Sequence, residues 1–209
     1  MKKVETIVES ILKMRSEVPV ERSLLTGISG IDASGKGYIA ALVQDELRRR
    51  SIITALINVD GWLNLPDVRF GGDDHGTHFY DQALRLDDMF ERIILPLRRD
   101  RAIRVTADLT EETAANYHEF EYRFENVDVI LLEGIFLFKK QFIAHFDLKI
   151  WIQCSFETAL QRAISRSQEG LGPEQTINAY ETIYFPAQRV HLAADRPRSM
   201  ADIILDNDQ

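Results

Sequence analysis

The sequence has 209 residues, which is long enough for one well-buried α/β domain and short for two. Hydrophobic residues make up 45% and charged residues 28%, and these ordinary fractions exclude wholesale disorder, collagen-like repeats and a disulfide-stapled miniprotein. Lys and Arg total 25 and Asp and Glu total 33, which gives a formal charge of −8. Because a negatively charged protein repels the phosphates of DNA and RNA, nucleic acid is not an expected partner.

The predicted elements alternate between apolar strands and helices. An amphipathic N-terminal helix over about 2–16 comes first, because apolar residues recur there at helical spacing. The later elements are, in chain order, a strand at 23–28, a helix at 36–50, a strand at 51–57, a loop at 64–78, a helix at about 84–97, strands at 101–106, 127–132 and 146–152, helices at 156–168 and 174–191, and a strand at 201–205. Strands separated by crossing helices predict a single α/β domain over residues 1–209, with a mostly parallel sheet covered on both sides.

The compartment is predicted from cysteine usage and hydropathy. The single cysteine, Cys154, cannot form an internal disulfide and lies next to the apolar segment 150–152, which favours a buried side chain in the reducing cytoplasm. No stretch approaches the roughly 20 apolar residues that span a bilayer, so we expect no membrane partner. The sequence does not determine the oligomeric state, and a homo-oligomer is one of the possibilities.

A glycine turn joins the first strand to the second helix with the pattern Gly30-x4-Gly35-Lys36. This pattern is typical of a phosphate-binding loop, whose amides surround a phosphate while the helix N-terminus adds about half a positive charge. The alternative is a turn that merely joins strand to helix. The predicted nucleotide-binding residues are Gly30, Asp32, Ala33, Ser34, Gly35, Lys36, Gly37 and Tyr38.

The residue after Lys36 differs from the residue that phosphate-binding loops usually have at this position. Phosphate-binding loops carry Ser or Thr there, because the hydroxyl is a ligand of Mg²⁺, whereas this chain has Gly37. Phosphate binding is therefore more strongly indicated than full catalytic competence.

Two carboxylates follow predicted strands. Asp60 follows the strand at 51–57, and Glu133 follows the strand at 127–132. Because parallel strands end at one edge of the sheet, both should face the same crevice. Asp60 is a candidate proton acceptor and Glu133 a candidate ligand of Mg²⁺, with Asp60 as a second metal contact. The alternatives are a cap of the Gly61 turn and an ordinary turn residue.

Arginines and a glycine-rich loop supply the remaining candidates. Arg162 and Arg166 are four residues apart on one helix face, from which they could hold a transferring phosphoryl group; the alternative is a solvated pair. The loop at 64–78 contains His75 and His78, whose three-residue spacing is only a weak indication of a metal site. This loop is therefore predicted to bind the acceptor instead. The substrate-side candidates are Arg69, His78, Tyr80 and Asp81, and the alternative for these residues is an ordinary surface role.

These residues together resemble the phosphoribulokinase/uridine kinase family of P-loop kinases, over about residues 23–207. The matching segments are Gly30-Ile-Asp-Ala-Ser-Gly-Lys36, Val59-Asp60-Gly61, His78-Phe-Tyr-Asp81, residues 130–137, residues 146–150, Thr158-Ala-Leu-Gln-Arg162 with Arg166, Tyr184-Phe-Pro-Ala-Gln-Arg189 and residues 201–207. The segment at 133–136 and the ending of the chain at 184–207 are most similar to those of bacterial uridine kinase-like proteins.

The resemblance implies a three-layer P-loop NTPase fold with a mostly parallel five-stranded sheet and a small helical lid at about 162–176. It implies ATP with Mg²⁺ as the donor and a small hydroxyl compound, for example a nucleoside such as uridine, as the acceptor. In this family Lys36 would bind donor phosphates, Asp60 would be the base, Glu133 would lie near the metal, and Arg162 and Arg166 would be lid arginines.

Two functions follow as hypotheses. The first is an ATP-dependent phosphotransferase that acts on an alcohol group of a small molecule. The second is a catalytically weakened nucleotide-binding protein that acts as a sensor or interaction module, and Gly37 is the feature that favours it.

Overall fold

The computed structural model describes residues 2–166 and 170–208. Its centre is a five-stranded sheet in which every neighbouring pair is parallel, with the strand order β2-β5-β1-β6-β7. These strands are β1 (Leu24–Gly30), β2 (Thr54–Asn58), β5 (Val129–Gly134), β6 (Leu148–Gln153) and β7 (Ile203–Asp206). The predicted parallel sheet is confirmed, and β1, buried along its whole length, is its central strand.

Helices cover both faces of this sheet and make the fold three-layered, as predicted. On one face, α1 (Lys2–Glu17) and α2 (Lys36–Arg49) pack on β1 and β5 through a core that includes Ile11 and Val43. The other face carries the larger core. Its helices are α3 (Pro66–Arg69), α4 (His75–Gln82), α5 (Leu86–Met89), α6 (Leu95–Asp100), α7 (Phe156–Arg166), α8 (Pro173–Ala179) and α9 (Phe185–Asp195), and a short α10 (Pro197–Met200) precedes β7.

Two of the helical rods contain a widened π turn. Phe90–Ile94 joins α5 to α6, and Tyr180–Tyr184 joins α8 to α9. A proline follows each turn by two residues, at Pro96 and Pro186. Because proline lacks an N–H and its ring collides with the carbonyl four residues earlier, the wider turn lets each rod continue through it.

The loop predicted at 64–78 is wrong in part, because α3 and the start of α4 lie within it. Asp74 caps α4 by accepting a hydrogen bond of 3.1 Å from the backbone of Thr77. Gly76 lets α4 approach α9, since a Cβ there would lie 2.4 Å from Pro186 Cβ. Gly76, which read as a loop residue, therefore serves close helix packing in this segment.

A separate antiparallel hairpin stands beside the main sheet. It pairs β3 (Ile103–Leu109) with β4 (His118–Phe124), and Val105 lies opposite Tyr122. The strand predicted at 101–106 overlaps β3. The sequence did not indicate β4, because β4 is exposed along most of its length and has no continuous apolar run.

The predicted lid at about 162–176 is only partly described, because residues 167–169 lie outside the described residues. Within the part of the chain that the structure describes, no helix is both long and apolar enough to cross a membrane.

Candidate functional site

A cavity of about 670 Å³ opens at the carboxyl ends of β1, β2 and β5. The phosphate loop, the 3₁₀ turn Val59–Trp62, Glu133 and the connection between β3 and β4 contribute to its walls. Pockets of this size hold small-molecule ligands, and the carboxyl edge of a parallel sheet is where such ligands bind in open α/β folds.

The phosphate loop is held in place by residues far along the chain. Gly35 adopts φ +85°, and a Cβ there would lie 2.5 Å from Asn207 Nδ2, so only glycine fits this turn. Asn207 Nδ2 donates to the carbonyl of Ser34 at 2.8 Å, and Arg162 Nη1 donates to the same carbonyl at 3.3 Å. Arg162 also donates to the Asn207 carbonyl at 2.8 Å. The structure thus places Arg162 behind the loop and outside the cavity lining, where it braces the loop backbone.

Lys36 lies between two carboxylates at the start of α2. Its Nζ is 4.0 Å from Asp32 Oδ1 and 4.0 Å from Glu133 Oε1. Both distances exceed those of a direct hydrogen bond, so the ammonium group keeps donor capacity toward the cavity that it lines. This position suits a lysine that binds donor phosphates.

Asp32 is the anchor of a small network that includes Arg166. Its carboxylate accepts hydrogen bonds from the Tyr180 hydroxyl at 2.6 Å and the Ala33 backbone at 2.8 Å. Arg166 Nη2 lies 3.5 Å from Asp32 Oδ1 and 3.3 Å from the Tyr180 hydroxyl. Burial favours the neutral form of Asp32, but the cations Lys36 and Arg166 together with these hydrogen bonds hold its pKa below the usual value. Arg166 lines the cavity, as a phosphate-binding arginine would.

Glu133 is buried at the end of β5 with 4% of its surface exposed. Burial raises the pKa of this carboxyl to about 7, because the nearby Lys36 only partly offsets its lost hydration. A cation bound beside Glu133 would lower this pKa and so favour the ionised form of the side chain.

Asp60 lines the same cavity from the turn that follows β2. The cap of this turn is Asn58, whose Oδ1 accepts a 2.7 Å hydrogen bond from the Asp60 backbone, so the Asp60 carboxylate is not needed as a cap. The turn can lie close to β5 because Gly134 has no side chain. A Cβ at Gly134 would stand 2.1 Å from Val59 Cγ2. The carboxylate is accessible, yet the surrounding protein removes part of its hydration, which raises its pKa while Lys36 opposes this.

The residues fit ATP and Mg²⁺. The buried Ser34 Oγ has no hydrogen-bond partner among the described residues, which is typical of a loop shaped to surround a ligand. A Cβ at Gly37 would lie 3.7 Å from Glu133 Oε2, so the missing loop hydroxyl would stand beside Glu133. Over residues 2–166 and 170–208, no three His, Cys, Asp or Glu side chains form a metal cage. Mg²⁺ usually needs only one or two carboxylates together with substrate phosphates.

Of the four predicted substrate residues, the structure brings only Arg69 to the cavity. His78 Nε2 is 2.8 Å from the carbonyl of Val68, and Tyr80 donates to Asp195 Oδ2 at 2.6 Å. Asp81 is exposed on α4 and outside the cavity lining. The packing of α4 against α9 turns Tyr80 away from the cavity, which sequence spacing does not reveal.

Other cavity residues were not predicted. They are, among others, Thr110, Glu112, His118, Phe120, Tyr184 and Gln188. Tyr184 and Gln188 belong to the segment Tyr184-Phe-Pro-Ala-Gln-Arg189, which carried part of the family resemblance, so a signal was present without an assigned role. The hairpin residues carried no comparable signal.

No family model matches the chain, and no curated protein matches it. Solved structures do match. A possible uridine kinase from Bacillus stearothermophilus superposes with a TM-score of 0.77 at 17% identity, covering 98% of each chain. A proposed fructose transport system kinase from Silicibacter sp. TM1040 gives 0.75 at 16% identity, covering 96% of this chain and 98% of that one. Phosphoribulokinase from Rhodobacter spheroides gives 0.63 at 16% identity, covering 90% and 71%.

The fold is thus that of the α/β P-loop kinases. Within that class, it is the fold shared by the uridine kinase-like and phosphoribulokinase structures, as the sequence resemblance implied.

Proposed function

We propose that this protein is an ATP-dependent kinase that transfers the γ-phosphoryl group of ATP to a hydroxyl of a small molecule. The observation that carries the proposal is one cavity that combines a phosphate loop, the buried Lys36 and the carboxylates Asp60 and Glu133. Phosphoryl transfer asks a protein mainly for positioning and charge stabilisation, and these groups supply both.

Each residue has a role that its surroundings support. The loop amides and Lys36 bind donor phosphates, Glu133 holds Mg²⁺, and Arg166 lies where it can neutralise charge on the transferred group. Bound ATP with Mg²⁺ would supply the phosphoryl group and the cation. Asp60 accepts the proton of the acceptor hydroxyl, and its raised pKa makes it a better proton acceptor than an aspartate with the ordinary pKa.

A nucleoside such as uridine is one acceptor class, supported by the fold shared with a possible uridine kinase. The fold is also shared with phosphoribulokinase, so fold alone does not choose the acceptor.

A second function, nucleotide sensing without turnover, is favoured by Gly37. The missing hydroxyl leaves Glu133 and Asp60 as the protein's contributions to the metal site. In a sensor of this kind ATP would bind and raise the melting temperature, but no acceptor would be phosphorylated at any magnesium concentration.

The test combines nucleotide binding with turnover. ATP should raise Tm, because a ligand that binds only the folded state stabilises it by mass action, and Lys36→Ala should abolish most of that rise. ADP release should appear with an acceptor from a panel of nucleosides, sugars and sugar acids. Absence of any Tm shift with millimolar ATP and Mg²⁺ would end the kinase proposal.

Asp60→Asn separates the base from a structural residue. Because Asn58 already caps the turn, this variant should keep near-normal stability and ATP binding, while kcat falls by about a hundredfold or more. Asp45→Asn, on the exposed side of α2, is the matched control and should retain kcat. Near wild-type kcat in Asp60→Asn would exclude the base role.

A further inference from the structure

One part of the cavity wall holds two fully buried polar side chains. Arg69, at the end of α3, is 2% exposed, and Gln188, on α9, is 1% exposed, yet both line the cavity. Arg69 Nη2 donates to the backbone carbonyl of Glu112, but Nε has no partner among the described residues. Both amide atoms of Gln188 are likewise buried without a partner there.

The two side chains lie in one aromatic-lined region. Tyr184 precedes Gln188 by four residues on the same helical rod and lines the same cavity as Arg69. The ring of Phe79 lies 5.1 Å from that of Tyr184, and the Arg69 guanidinium stands 5.0 Å from the ring of Phe70. Apolar walls with a few polar groups are characteristic of a ligand subsite.

Arg69 lacks the carboxylate partner that two half-buried arginines elsewhere in this protein have. Arg22 and Arg98 both bind the carboxylate of Asp147, at 2.8 and 2.9 Å. Within residues 2–166 and 170–208, no carboxylate lies within 4.0 Å of the Arg69 guanidinium. Burial lowers the pKa of Arg69, and the charge of Glu112 opposes this only in part. Buried charges are normally paired, so a ligand anion would complete this site.

We propose that Arg69 and Gln188 form the subsite for an anionic group of the phosphate acceptor, so that the acceptor is a hydroxyl compound carrying a carboxylate or a phosphate. The proposal rests on the kinase function, since the acceptor hydroxyl must face Asp60. The guanidinium binds the anion through its free Nε–H, and the Gln188 amide donates to the anion or accepts from a neighbouring hydroxyl.

The electrostatics of the cavity favour this placement of the anion. Lys36, at the end of the cavity proposed to hold the ATP phosphates, is surrounded by the carboxylates of Asp32, Asp60 and Glu133. These carboxylates would repel an anionic group of the acceptor. Arg69 is a buried cation on the α3 side of the cavity. Glu111 and Glu112 also line the cavity, but no carboxylate of the described residues forms an ion pair with the Arg69 guanidinium.

The first experiment compares matched acceptors with wild-type protein and ATP by ADP release. The pairs are glycerol against glycerate, glycerol against glycerol 3-phosphate, ribose against ribose 5-phosphate, and uridine against uridine 5′-monophosphate. In at least one pair the charged member should have a kcat/KM at least tenfold higher, and the pair that responds distinguishes carboxylate from phosphate. Equal or higher kcat/KM for the neutral members throughout would overturn the proposal.

The second experiment tests the residue. Arg69→Gln should lower kcat/KM for the charged acceptor by about 10- to 100-fold, the range for losing a charge-assisted hydrogen bond, and change the neutral member by less than threefold. Gln188→Leu should lower kcat/KM for that acceptor as well. Arg104→Gln, an exposed arginine paired with Glu121 on the hairpin, is the matched control and should leave the preference intact. An unchanged preference in Arg69→Gln with a normal ATP-induced Tm shift would overturn the proposal.

A binding measurement keeps the proposal separate from the kinase function and from folding of the variants. With a non-hydrolysable ATP analogue bound to wild-type protein, a charged member of the panel should raise Tm further and its neutral partner should not. A response to ATP without any additional rise from a charged acceptor overturns this inference alone. No response to ATP at all overturns the kinase function on which it rests.

Discussion

Replacing Glu133 with glutamine should make the protein more stable at neutral pH while it weakens Mg²⁺-dependent turnover. The carboxyl is buried at the end of β5, with Lys36 at 4.0 Å as its partial counter-charge. Glutamine has nearly the same shape but cannot ionise, so the exchange removes the cost of a buried charge without opening a cavity.

The magnitude follows from the pKa. An ordinary glutamate titrates near 4.5, and burial raises the pKa of Glu133 to about 7. The folded state therefore holds this proton to a higher pH than the unfolded state does, and the free energy of unfolding falls as pH rises from about 4.5 to about 7. At about 1.4 kcal/mol per pH unit the loss is about 3 kcal/mol. For a domain of this size that corresponds to roughly 6 to 12 °C in Tm.

The assay measures unfolding by denaturant and by heat at pH 5, 6, 7 and 8 for wild type and Glu133→Gln. The stability of the variant relative to wild type should increase by about 2.5 kcal/mol between pH 5 and pH 8, because part of the loss has already occurred at pH 5, and most of the change should occur below about pH 7. Glu21→Gln, at an exposed position, controls for the exchange itself. A stability difference between Glu133→Gln and wild type that is the same at pH 5 and pH 8 would refute the assignment of Glu133 as a buried, proton-holding carboxyl.

Three further predictions concern single contacts of the site. Gly37→Ser should lower the magnesium concentration for half-maximal activity, since its Cβ fits 3.7 Å from Glu133 Oε2; Gly37→Ala is the control, and equal requirements in both would show that the hydroxyl adds no ligand. Tyr180→Phe should cost about 1.5 to 3 kcal/mol in chemical denaturation through loss of its 2.6 Å hydrogen bond to the Asp32 carboxylate, and an unchanged midpoint would contradict that role. Gly134→Ala should destabilise by about 1 to 3 kcal/mol or more, because Val59 must move, and should lower kcat by displacing Asp60; retained kcat and Tm would show that the turn can shift freely.

The part of the site built from local sequence could be predicted, and the part built by helix packing could not. The phosphate loop follows from glycine spacing within seven residues. The shared location of Asp60 and Glu133 follows from the rule that parallel strands end at one edge. The orientation of Tyr80 depends instead on how α4 meets α9, and that contact depends on Gly76 fitting against Pro186.

Gln188 shows the complementary difficulty. A glutamine on a helix next to an arginine reads as a surface residue, yet α9 buries it in the cavity wall. Arg69 was predicted as a substrate residue, but its burial without a carboxylate partner, which gives it a specific role, is visible only in three dimensions. The chemical roles of all these residues stay predictions until the variants are measured.

The contacts that brace the phosphate loop also constrain the order in which parts of this protein can fold. The carbonyl of Ser34 is bound by Arg162 and by Asn207, which follow it by 128 and 173 residues. During synthesis the loop emerges early, but its full set of contacts cannot form until the last strand has docked. Nucleotide binding at full affinity would therefore require the whole domain to be folded. A nascent chain whose last strand has not yet docked would bind ATP more weakly.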